Sequence, residues 1–555
     1  MIIATETRSQ ELRGRERSGD IPALTGLRFI AALSVVLAHS SYRISTFEPP
    51  DIVGGWMARL GPFGMTLFFV LSGFVIHYNY RSLVLAQGWT GFGAFLWARF
   101  ARLYPLFLLI LTFDILSGSS LFDFVAGNVA VFRNVLRSLP YYLLFMQSWV
   151  YLPLDDRTLI DAVGGTIALS WSISTEWFFY LAYPSIAWLV VRARHPIIIL
   201  GVMVGWSLLW GCLASIVSDN SGELEAWAVA RYGTIAAAGT SDGESFIRWL
   251  QYYSPYLRIG EFVLGCLTAQ LYLQQRHRTV GRREQAIGTL LLVIGLVSIP
   301  LIIFLCFSQD HRSALLSSMR NNYALAPTVA LVLFSAARYQ NPISRLLQGR
   351  LLVALGEASY SIYLTHLIVF IFITGYVTRI LPTTAPYIAY LILRLAFAVL
   401  MICLISVGLH ATVEVPARNW LRGLWRPTRT GRRALAISVA SMPAAAALVA
   451  LVLATLPLQT ETEVAAGIRV ISATYGANCG VARGNITWAL VNACDGRNSC
   501  DYVVDVTKLG DPAGGCAKDF NVNYACMPDN SAQTTELAGE AGLGSHAALA
   551  CPAPP

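Results

Sequence analysis

Apolar stretches long enough to cross a bilayer recur through most of this chain, and they restrict its fold more than any other feature. A transmembrane helix needs about 20 mainly apolar residues. With 55% hydrophobic and 13% charged residues, the chain has the composition of a polytopic membrane protein rather than of a soluble one. We predict an all-α membrane bundle of ten core helices plus one extra span, near residues 22–42, 61–79, 101–118, 168–190, 196–217, 252–274, 286–307, 322–338, 358–378, 387–411 and 434–457.

The charge distribution predicts how these helices are oriented. The formal net charge of +8 comes mainly from arginines in short loops, which indicates membrane orientation and not nucleic-acid binding. Alternate threading puts six basic clusters on the side of the N-terminus, so we expect that end to be cytoplasmic and the C-terminal region extracytoplasmic. The stretch 129–151 is interrupted by Arg133, Arg137 and Pro140, and there we expect an interfacial or re-entrant helix.

Two ionisable residues share one face of the first predicted helix. Arg28 and His39 are eleven residues apart, which is about three helical turns plus 20° and about 16 Å along the axis. Ionisable groups within a membrane are costly and usually face a bundle interior or a wet cavity. The alternative is that Arg28 reaches the cytoplasmic headgroups while His39 caps the far end.

Further polar residues recur inside the predicted helices. Threading places Glu176 at the depth of His39. A carboxylate beside the imidazole would fix its tautomer and stabilise its cation, which would suit His39 as a general base. The alternative is a structural ion pair between the two residues. Arg258 and Glu261 are one turn apart and are expected to pair with each other. His366 is more typical of a packing histidine. Together with Ser72, these three residues are the further polar candidates for the bundle interior: Ser72, Arg258, Glu261 and His366.

Two arginines mark the predicted cytoplasmic end of the third helix. Arg99 and Arg102, at positions i and i+3, share a helix face and could bind phosphates in bidentate fashion. Ordinary positive-inside charge is the alternative. The chain has no Walker loop, GxSxG elbow, HExxH or paired CxxC motif, so we predict neither nucleotide hydrolysis nor a metal site.

Taken in order, several motifs resemble acyltransferase family 3 of integral membrane acyltransferases over about residues 20–425: LTGLRFIAALSVVLAH, FFVLSGF, RFARLYP, WSISTEWFFYLAYP, RIGEFVLGC and LGEASYSIYLTH. The resemblance implies a ten-helix bundle that moves an acyl group, usually acetyl, from cytoplasmic acyl-CoA to a hydroxyl of an extracytoplasmic carbohydrate. It makes His39 the catalytic base or acyl relay, Arg28 its companion and Glu176 the acidic partner. The acyl-CoA contacts that it implies are Arg99, Arg102 and Tyr104.

The end of the chain has a different composition. Six cysteines and short β-type runs predict a small disulfide-rich domain in an oxidising compartment; six cysteines allow fifteen pairings. Residues 466–527 resemble the galactose/rhamnose-binding lectin family, which implies sugar contacts by Tyr475, Asp511 and Lys518. Ala477 stands where that family has arginine, so a stapled cap without a ligand is the alternative. The disulfide candidates are Cys479, Cys494, Cys500, Cys516 and Cys526, with Cys551 in the same cluster.

These predictions divide the chain into a cytoplasmic leader (1–20), a membrane domain (21–425), an additional span with its linker (426–459), a lectin-like domain (460–530) and a flexible tail (531–555). We expect a multi-pass protein of a bacterial cytoplasmic membrane that O-acylates glycans from acetyl-CoA. Its partners would be membrane lipid and a glycan acceptor, without metal or nucleic acid, and its oligomeric state is open. The alternatives are a transporter or flippase, although we find none of the internal repeats common in transporters, and a sugar-binding surface protein with an inactive bundle.

Overall fold

A computed structural model describes residues 21–43, 51–117, 129–154, 157–237, 245–306, 319–380, 387–424 and, apart from 480, 482–484, 495, 510, 512 and 528–530, residues 467–551. The chain divides into two compact units, 1–447 and 448–555. The predicted leader (1–20) and the additional span with its linker (426–459) lie outside the described residues. The helices of the first unit are α1 Pro22–Arg43, α2 Asp51–Ser117, α3 Val129–Leu143, α4 Trp171–Val190, α5 Pro196–Asp219, α6 Ser221–Tyr232, α7 Phe246–Arg248, α8 Pro255–Gln275, α9 Arg282–Cys306, α10 Ala326–Arg338, α11 Pro342–Leu347, α12 Arg350–Glu357, α13 Ser359–Ile380, α14 Tyr387–Leu409 and α15 Val415–Leu424.

Helices occupy each of the ten segments predicted between residues 22 and 411, and two of those segments share one long helix. The 67-residue α2 contains 61–79 and 101–117, and its backbone leaves helical geometry at Gly88 (φ 54°, ψ −131°). By length and apolar composition, five helices of the described part can cross a membrane, or six if α12 and α13, bent by 72°, form one span. The number of spans and their orientation stay predictions.

The surface of the bundle is apolar where it faces outward. In α5 and in α9, only 22% of the apolar stretch is buried inside the protein. In α1 the buried share is 67%. Large apolar residues such as Ile197, Val204 and Val297 are exposed. Contiguous exposed apolar surface of this kind is typical of contact with lipid, which agrees with the predicted class of membrane protein.

The helix α1 occupies the interior of the bundle, where it packs against α2, α11, α12 and α13. Close approach of α2 and α8 depends on two glycines. A Cβ atom on Gly73 would lie 2.0 Å from the carbonyl oxygen of Phe262, and one on Gly265 would lie 2.0 Å from that of Val70. Small residues at such crossings let helix backbones meet within a membrane, so these glycines fix the position of α2 beside the interior of the bundle.

The uncertain stretch 129–151 contains the short amphipathic helix α3. Its 15 residues fall short of the roughly 20 that a span needs. Arg133 and Arg137 are exposed, whereas Asn134 is buried and donates from Nδ2 to the carbonyl oxygen of Leu154 at 3.0 Å. The helix is therefore fixed to the folded segment that follows it, which includes the small antiparallel pair β1 Pro153–Leu154 and β2 Arg157–Thr158.

The second unit is built from two antiparallel sheets and three disulfides. Its strands are β3 Gly467–Tyr475, β4 Ser499–Asp505, β5 Phe520–Met527, β6 Ser531–Leu537 and β7 Leu543–Ala550, with the short helices α16 Thr487–Cys494 and α17 Val506–Leu509. One sheet has the order β3-β5-β6 and the other pairs β4 with β7. The disulfides join Cys479 to Cys516, Cys494 to Cys500 and Cys526 to Cys551, which resolves the fifteen possible pairings.

The prediction of a flexible tail from residue 531 is wrong for residues 531–551. Strand β6 pairs with β5 and β7 pairs with β4, and Cys551 closes the disulfide to Cys526. The Ala, Gly and Ser content of this segment conceals the alternation of buried and exposed side chains that is typical of a strand. Along β7, Ala547 and Leu549 are buried, whereas Ser545, Ala548 and Ala550 are more exposed. A small side chain is sufficient at the buried Ala547, because the larger Tyr502 of β4 lies opposite it.

Deleting residues 531–555 is therefore expected to unfold the second unit, since β4 and β5 would each lose a partner strand and Cys526 would lose its disulfide. Thiol labelling of Cys526 and limited proteolysis of the full-length and shortened proteins measure this. Cys551→Ser keeps both strands and removes only the cross-link, for which a loss of about 2–5 kcal/mol is typical. A shortened unit as protease-resistant as the full-length one would contradict the prediction.

Candidate active site

A cavity of about 90 Å³ lies within the bundle near the N-terminal end of α1. Its walls come from α1, α2, α4 and α13. The charged or polar side chains that line it include Arg28, Ser72, Arg99, Arg102, Glu176 and Tyr180. Five of these six residues were predicted as site residues from the sequence, from motifs separated by up to about 150 positions of the chain. The structure brings them together.

The cavity is strongly cationic, because three guanidinium groups face one carboxylate. Arg99 is buried, donates from Nη2 to Tyr80 Oη at 2.7 Å and lies 4.7 Å from the centre of the Tyr80 ring. Arg28 and Arg102 line the cavity without a hydrogen bond to another residue of the described part of the chain. Their donors are available to an anion, and a guanidinium binds phosphate or carboxylate oxygens in pairs.

Glu176 lies in this cavity and not beside His39, so its predicted depth is wrong. Ser72 Oγ donates to Glu176 Oε1 at 2.5 Å, which fixes the carboxylate to α2. On that helix a Cβ at Gly61 would lie 3.4 Å from the Cβ of Ala38, so Gly61 marks the level of His39. Ser72 is eleven residues farther along, about 16 Å, and this places Glu176 near the level of Arg28.

The reason for the error is where α4 begins. Counting spans treats residue 168 as the membrane surface, but the first residues of α4, Trp171 to Thr175, are all buried in protein. The helix starts inside the bundle, beneath the folded segment 144–170. Trp149 Nε1 donates to the carbonyl oxygen of Ser174 at 2.9 Å, and Ser148 Oγ donates to Ser174 Oγ at 2.9 Å.

His39 has a different neighbour, the fully buried His366 of α13. His39 Nδ1 lies 3.1 Å from His366 Nε2, and the ring centres are 5.1 Å apart. The expectation that His366 only packs is therefore incomplete, because it contacts the proposed base directly. Neither histidine lines the cavity, but Tyr363, one helical turn before His366, does. Tyr363 and Phe68 both line the cavity and meet edge to face, with ring centres 5.8 Å apart.

Arg258 and Glu261 form the predicted pair on α8 and lie outside the cavity lining. Arg258 Nη1 lies 2.9 Å from Glu261 Oε1, and both side chains are fully buried. Thr66 Oγ1 donates to the same carboxylate oxygen at 2.6 Å. The guanidinium also lies 4.7 Å from the centre of the Tyr252 ring. These contacts tie α8 to α2 and indicate a structural role.

Sequence reasoning missed several hydroxyl groups of the cavity and misplaced one. Ser172, Ser359, Tyr360 and Tyr363 also line it. The signal was the spacing: Ser172, Glu176 and Tyr180 recur every fourth residue and so share one helix face. Tyr104 was expected among the acyl-CoA contacts, but it stacks on Phe100 with ring centres 4.3 Å apart and does not line the cavity.

In the second unit the predicted sugar-contacting residues are near one another, but two of the three are buried. Lys518 is buried, and its Nζ lies 2.6 Å from Asp511 Oδ1 and donates to the carbonyl oxygen of Cys516 at 2.9 Å. The hydrogen bond from Lys518 holds the pKa of the exposed Asp511 carboxyl below its usual range. Tyr475 is buried. The Asp511 carboxylate is therefore the accessible member of the three.

A family model described as an acyltransferase domain matches residues 21–403. Acyltransferase MdmB of Streptomyces mycarofaciens is 28% identical over 422 residues, covering 74% of this chain and 94% of that protein. The putative O-acetyltransferase SACOL0978 and the O-acetyltransferase OatA, both of Staphylococcus aureus, are 22% and 19% identical over 74% and 72% of this chain, and the matches cover 59% and 57% of their length. No solved structure matches the chain. The family match ends before the second unit.

Proposed function

Because the chain belongs to this acyltransferase family over residues 21–403 and is a membrane O-acyltransferase, we propose that it takes an acyl group, usually acetyl, from cytoplasmic acyl-CoA and transfers it to a hydroxyl of an extracytoplasmic glycan. The observation that carries the proposal is the polar arrangement along α1. A cationic cavity lies at its Arg28 end, and an imidazole pair lies at its His39 end. The two ends are about 16 Å apart.

The donor end is the cavity. Acyl-CoA carries several phosphates, and Arg28, Arg99 and Arg102 supply guanidinium groups that suit them. The cavity volume of about 90 Å³ is well below the roughly 300–1,000 Å³ of a pocket that encloses a small molecule. A whole coenzyme does not fit, but one phosphate does, so the nucleotide part of the donor would lie outside the bundle while its acyl-bearing arm reaches from the cavity towards His39. The arginine-rich loops favour the cytoplasm as the side on which it lies.

The acceptor end is His39. A general base needs a proton affinity matched to neutral pH, which imidazole has. An acceptor hydroxyl deprotonated by His39 becomes the nucleophile that attacks the acyl carbonyl. The disulfides of the second unit favour an oxidising compartment for it. We propose that this unit is lectin-like and holds the glycan through Asp511, whose carboxylate oxygens accept hydrogen bonds from sugar hydroxyls.

Inside-out membrane vesicles that contain the protein test this function. Radiolabelled acetyl-CoA added outside such vesicles meets the cytoplasmic face, and label is expected in glycan recovered from the lumen. Absence of covalent label in any membrane or luminal glycan would contradict the proposal. Label that enters the lumen without becoming attached to a glycan would favour a transporter.

Replacing Arg102 with alanine is expected to raise the KM for acyl-CoA about tenfold or more, because a hydrogen bond to a charged group is worth about 1.5–3 kcal/mol. The kcat should change much less. Arg345→Ala is the matched control: Arg345 is an exposed arginine on the same predicted side but outside the cavity. Initial rates against acyl-CoA concentration give both constants. An unchanged KM, or an equal rise in Arg345→Ala, would remove Arg102 from the donor site.

A further inference from the structure

We propose that His39 and His366 act as one catalytic pair, in which His39 is the base and His366 is the positioning residue that fixes its tautomer and supports its positive charge. The inference rests on the proposed function, and it assigns to His366 the role that we predicted for Glu176 from the sequence. In a serine hydrolase a carboxylate holds the histidine base through its Nδ1–H. Here the side chain that contacts His39 Nδ1 at 3.1 Å is a second imidazole.

The contacts of His366 determine where its proton lies. Its Nδ1 is 2.7 Å from the carbonyl oxygen of Tyr363, and a carbonyl oxygen can only accept. Nδ1 of His366 therefore carries the hydrogen, and in the neutral ring Nε2 carries the lone pair. Since that Nε2 faces His39, His366 accepts a hydrogen bond from its neighbour.

The contacts of His39 give the complementary assignment. Its Nδ1 lies 3.0 Å from the carbonyl oxygen of Val35 and 3.1 Å from His366 Nε2, and both of these atoms accept. One hydrogen on Nδ1 serves both in a three-centre bond. The neutral His39 ring then carries its basic lone pair on Nε2, which is the nitrogen that takes a proton from the acceptor.

The pair also supports the charge that forms during transfer. His39 Nε2 takes the hydroxyl proton as the acceptor oxygen bonds to the carbonyl carbon; the carbon–sulfur bond breaks, and the proton passes to the leaving thiolate sulfur. While His39 is a cation, its Nδ1–H donates a charge-assisted bond to His366 Nε2, and this is stronger than the neutral bond. His366 passes the polarisation on to the Tyr363 carbonyl.

The burial of His366 indicates that this residue does more than fill space in the core. His366 is fully buried, and placing polar nitrogens in an apolar interior costs free energy unless they are hydrogen-bonded. Both of its ring nitrogens are bonded here, one to Tyr363 and one to His39. Within the described residues it has no hydrogen bond to a carboxylate, and no group of three or more histidines, cysteines, aspartates or glutamates could hold a metal ion.

Two substitutions of His366 separate positioning from packing. His366→Leu removes the acceptor, and we expect kcat to fall about 100-fold with little change in the KM for acyl-CoA. His366→Gln can present Oε1 to His39 Nδ1–H and is expected to recover most of the activity. His77→Leu removes another fully buried histidine, one that contacts Gln270, and is expected to keep kcat within a few-fold of the wild type. In a His39→Ala background, His366→Leu should cause no additional loss.

Three results would each overturn the proposed pair. The first is an equal kcat for wild type and His366→Leu, and the second is an equal loss in the leucine and glutamine variants. The third is a full additional loss when His366→Leu is made in the His39→Ala background. A second measurement does not depend on acyl transfer. Nitrogen-15 NMR of protein labelled at its eight histidines, assigned by difference with His39→Ala and His366→Leu, should show Nδ1–H and unprotonated Nε2 for both residues in the neutral state. A His39 signal with Nε2–H would refute the assignment even if the protein transfers acetyl groups, and the predicted signals would survive if the donor or acceptor proved different.

Discussion

Replacing His39 with alanine is expected to lower the kcat for acyl transfer by roughly 10²- to 10⁴-fold, the usual contribution of a positioned general base. Alanine leaves no group to take the acceptor proton. Binding of the donor should persist, since its proposed contacts lie about 16 Å away along α1. Initial rates with radiolabelled acetyl-CoA in inside-out vesicles, corrected for the amount of folded protein, measure the effect.

The exposed His277 provides a control for the loss of a histidine as such. His277→Ala is expected to match the wild type in rate and in the KM for acyl-CoA. Full activity of His39→Ala would show that the base is another residue, and Glu176 in the cavity would then be the first to test. A raised KM with unchanged kcat would likewise move His39 from the chemistry to the binding of a substrate.

Removing one member of the buried Arg258–Glu261 pair is expected to destabilise the bundle by about 3–5 kcal/mol, because an unpaired charge would remain in the interior. Glu261→Ala leaves the guanidinium of Arg258 without its carboxylate and leaves Thr66 with only the carbonyl oxygen of Asn322 to donate to. The fraction of detergent-solubilised protein that stays monodisperse after heating measures the loss. Replacing both residues with leucine removes both charges and should recover much of the stability.

A second ion pair shows what the same change does near the surface. Arg338 Nη2 lies 3.3 Å from Glu284 Oε1, and the Glu284 side chain is 39% exposed. Glu284→Ala is expected to cost less than about 1 kcal/mol, as exposed pairs do. If Glu261→Ala unfolds no more readily than Glu284→Ala, the structural role of the buried pair is wrong. A stable double variant without activity would assign the pair a function.

The sequence predicted the helices well because their signal is local. Each apolar stretch is long and bounded by charge, and burial of such a stretch in lipid does not depend on its neighbours. Arg28, Arg99 and Glu176, which we predicted as site residues from the sequence, all line the cavity. The prediction of a flexible tail was wrong for the opposite reason. Strands β6 and β7 consist mainly of small or polar residues, and their strand conformation depends on β4 and β5, which come earlier in the chain.

The partner of His39 could not be derived in the same way. Depth was assigned by counting residues from an assumed membrane surface, and this fails where a helix such as α4 starts inside protein. The contact between His39 and His366 joins residues 327 positions apart, and it depends on the packing of α13 against α1. One local clue existed in Tyr363 and His366, which are three residues apart, the spacing at which a side chain can reach the backbone carbonyl of the previous turn.

The separation of the cavity lining from the two histidines has a consequence for the energy supply of the cell. A continuous wet path from one side of a membrane to the other would let protons run down the electrochemical gradient that drives ATP synthesis. In the described residues the rings of Tyr363 and Phe68 line the cavity and neither histidine of the imidazole pair does. An enzyme whose donor cavity does not extend to its catalytic base can leave the membrane electrically tight between turnovers.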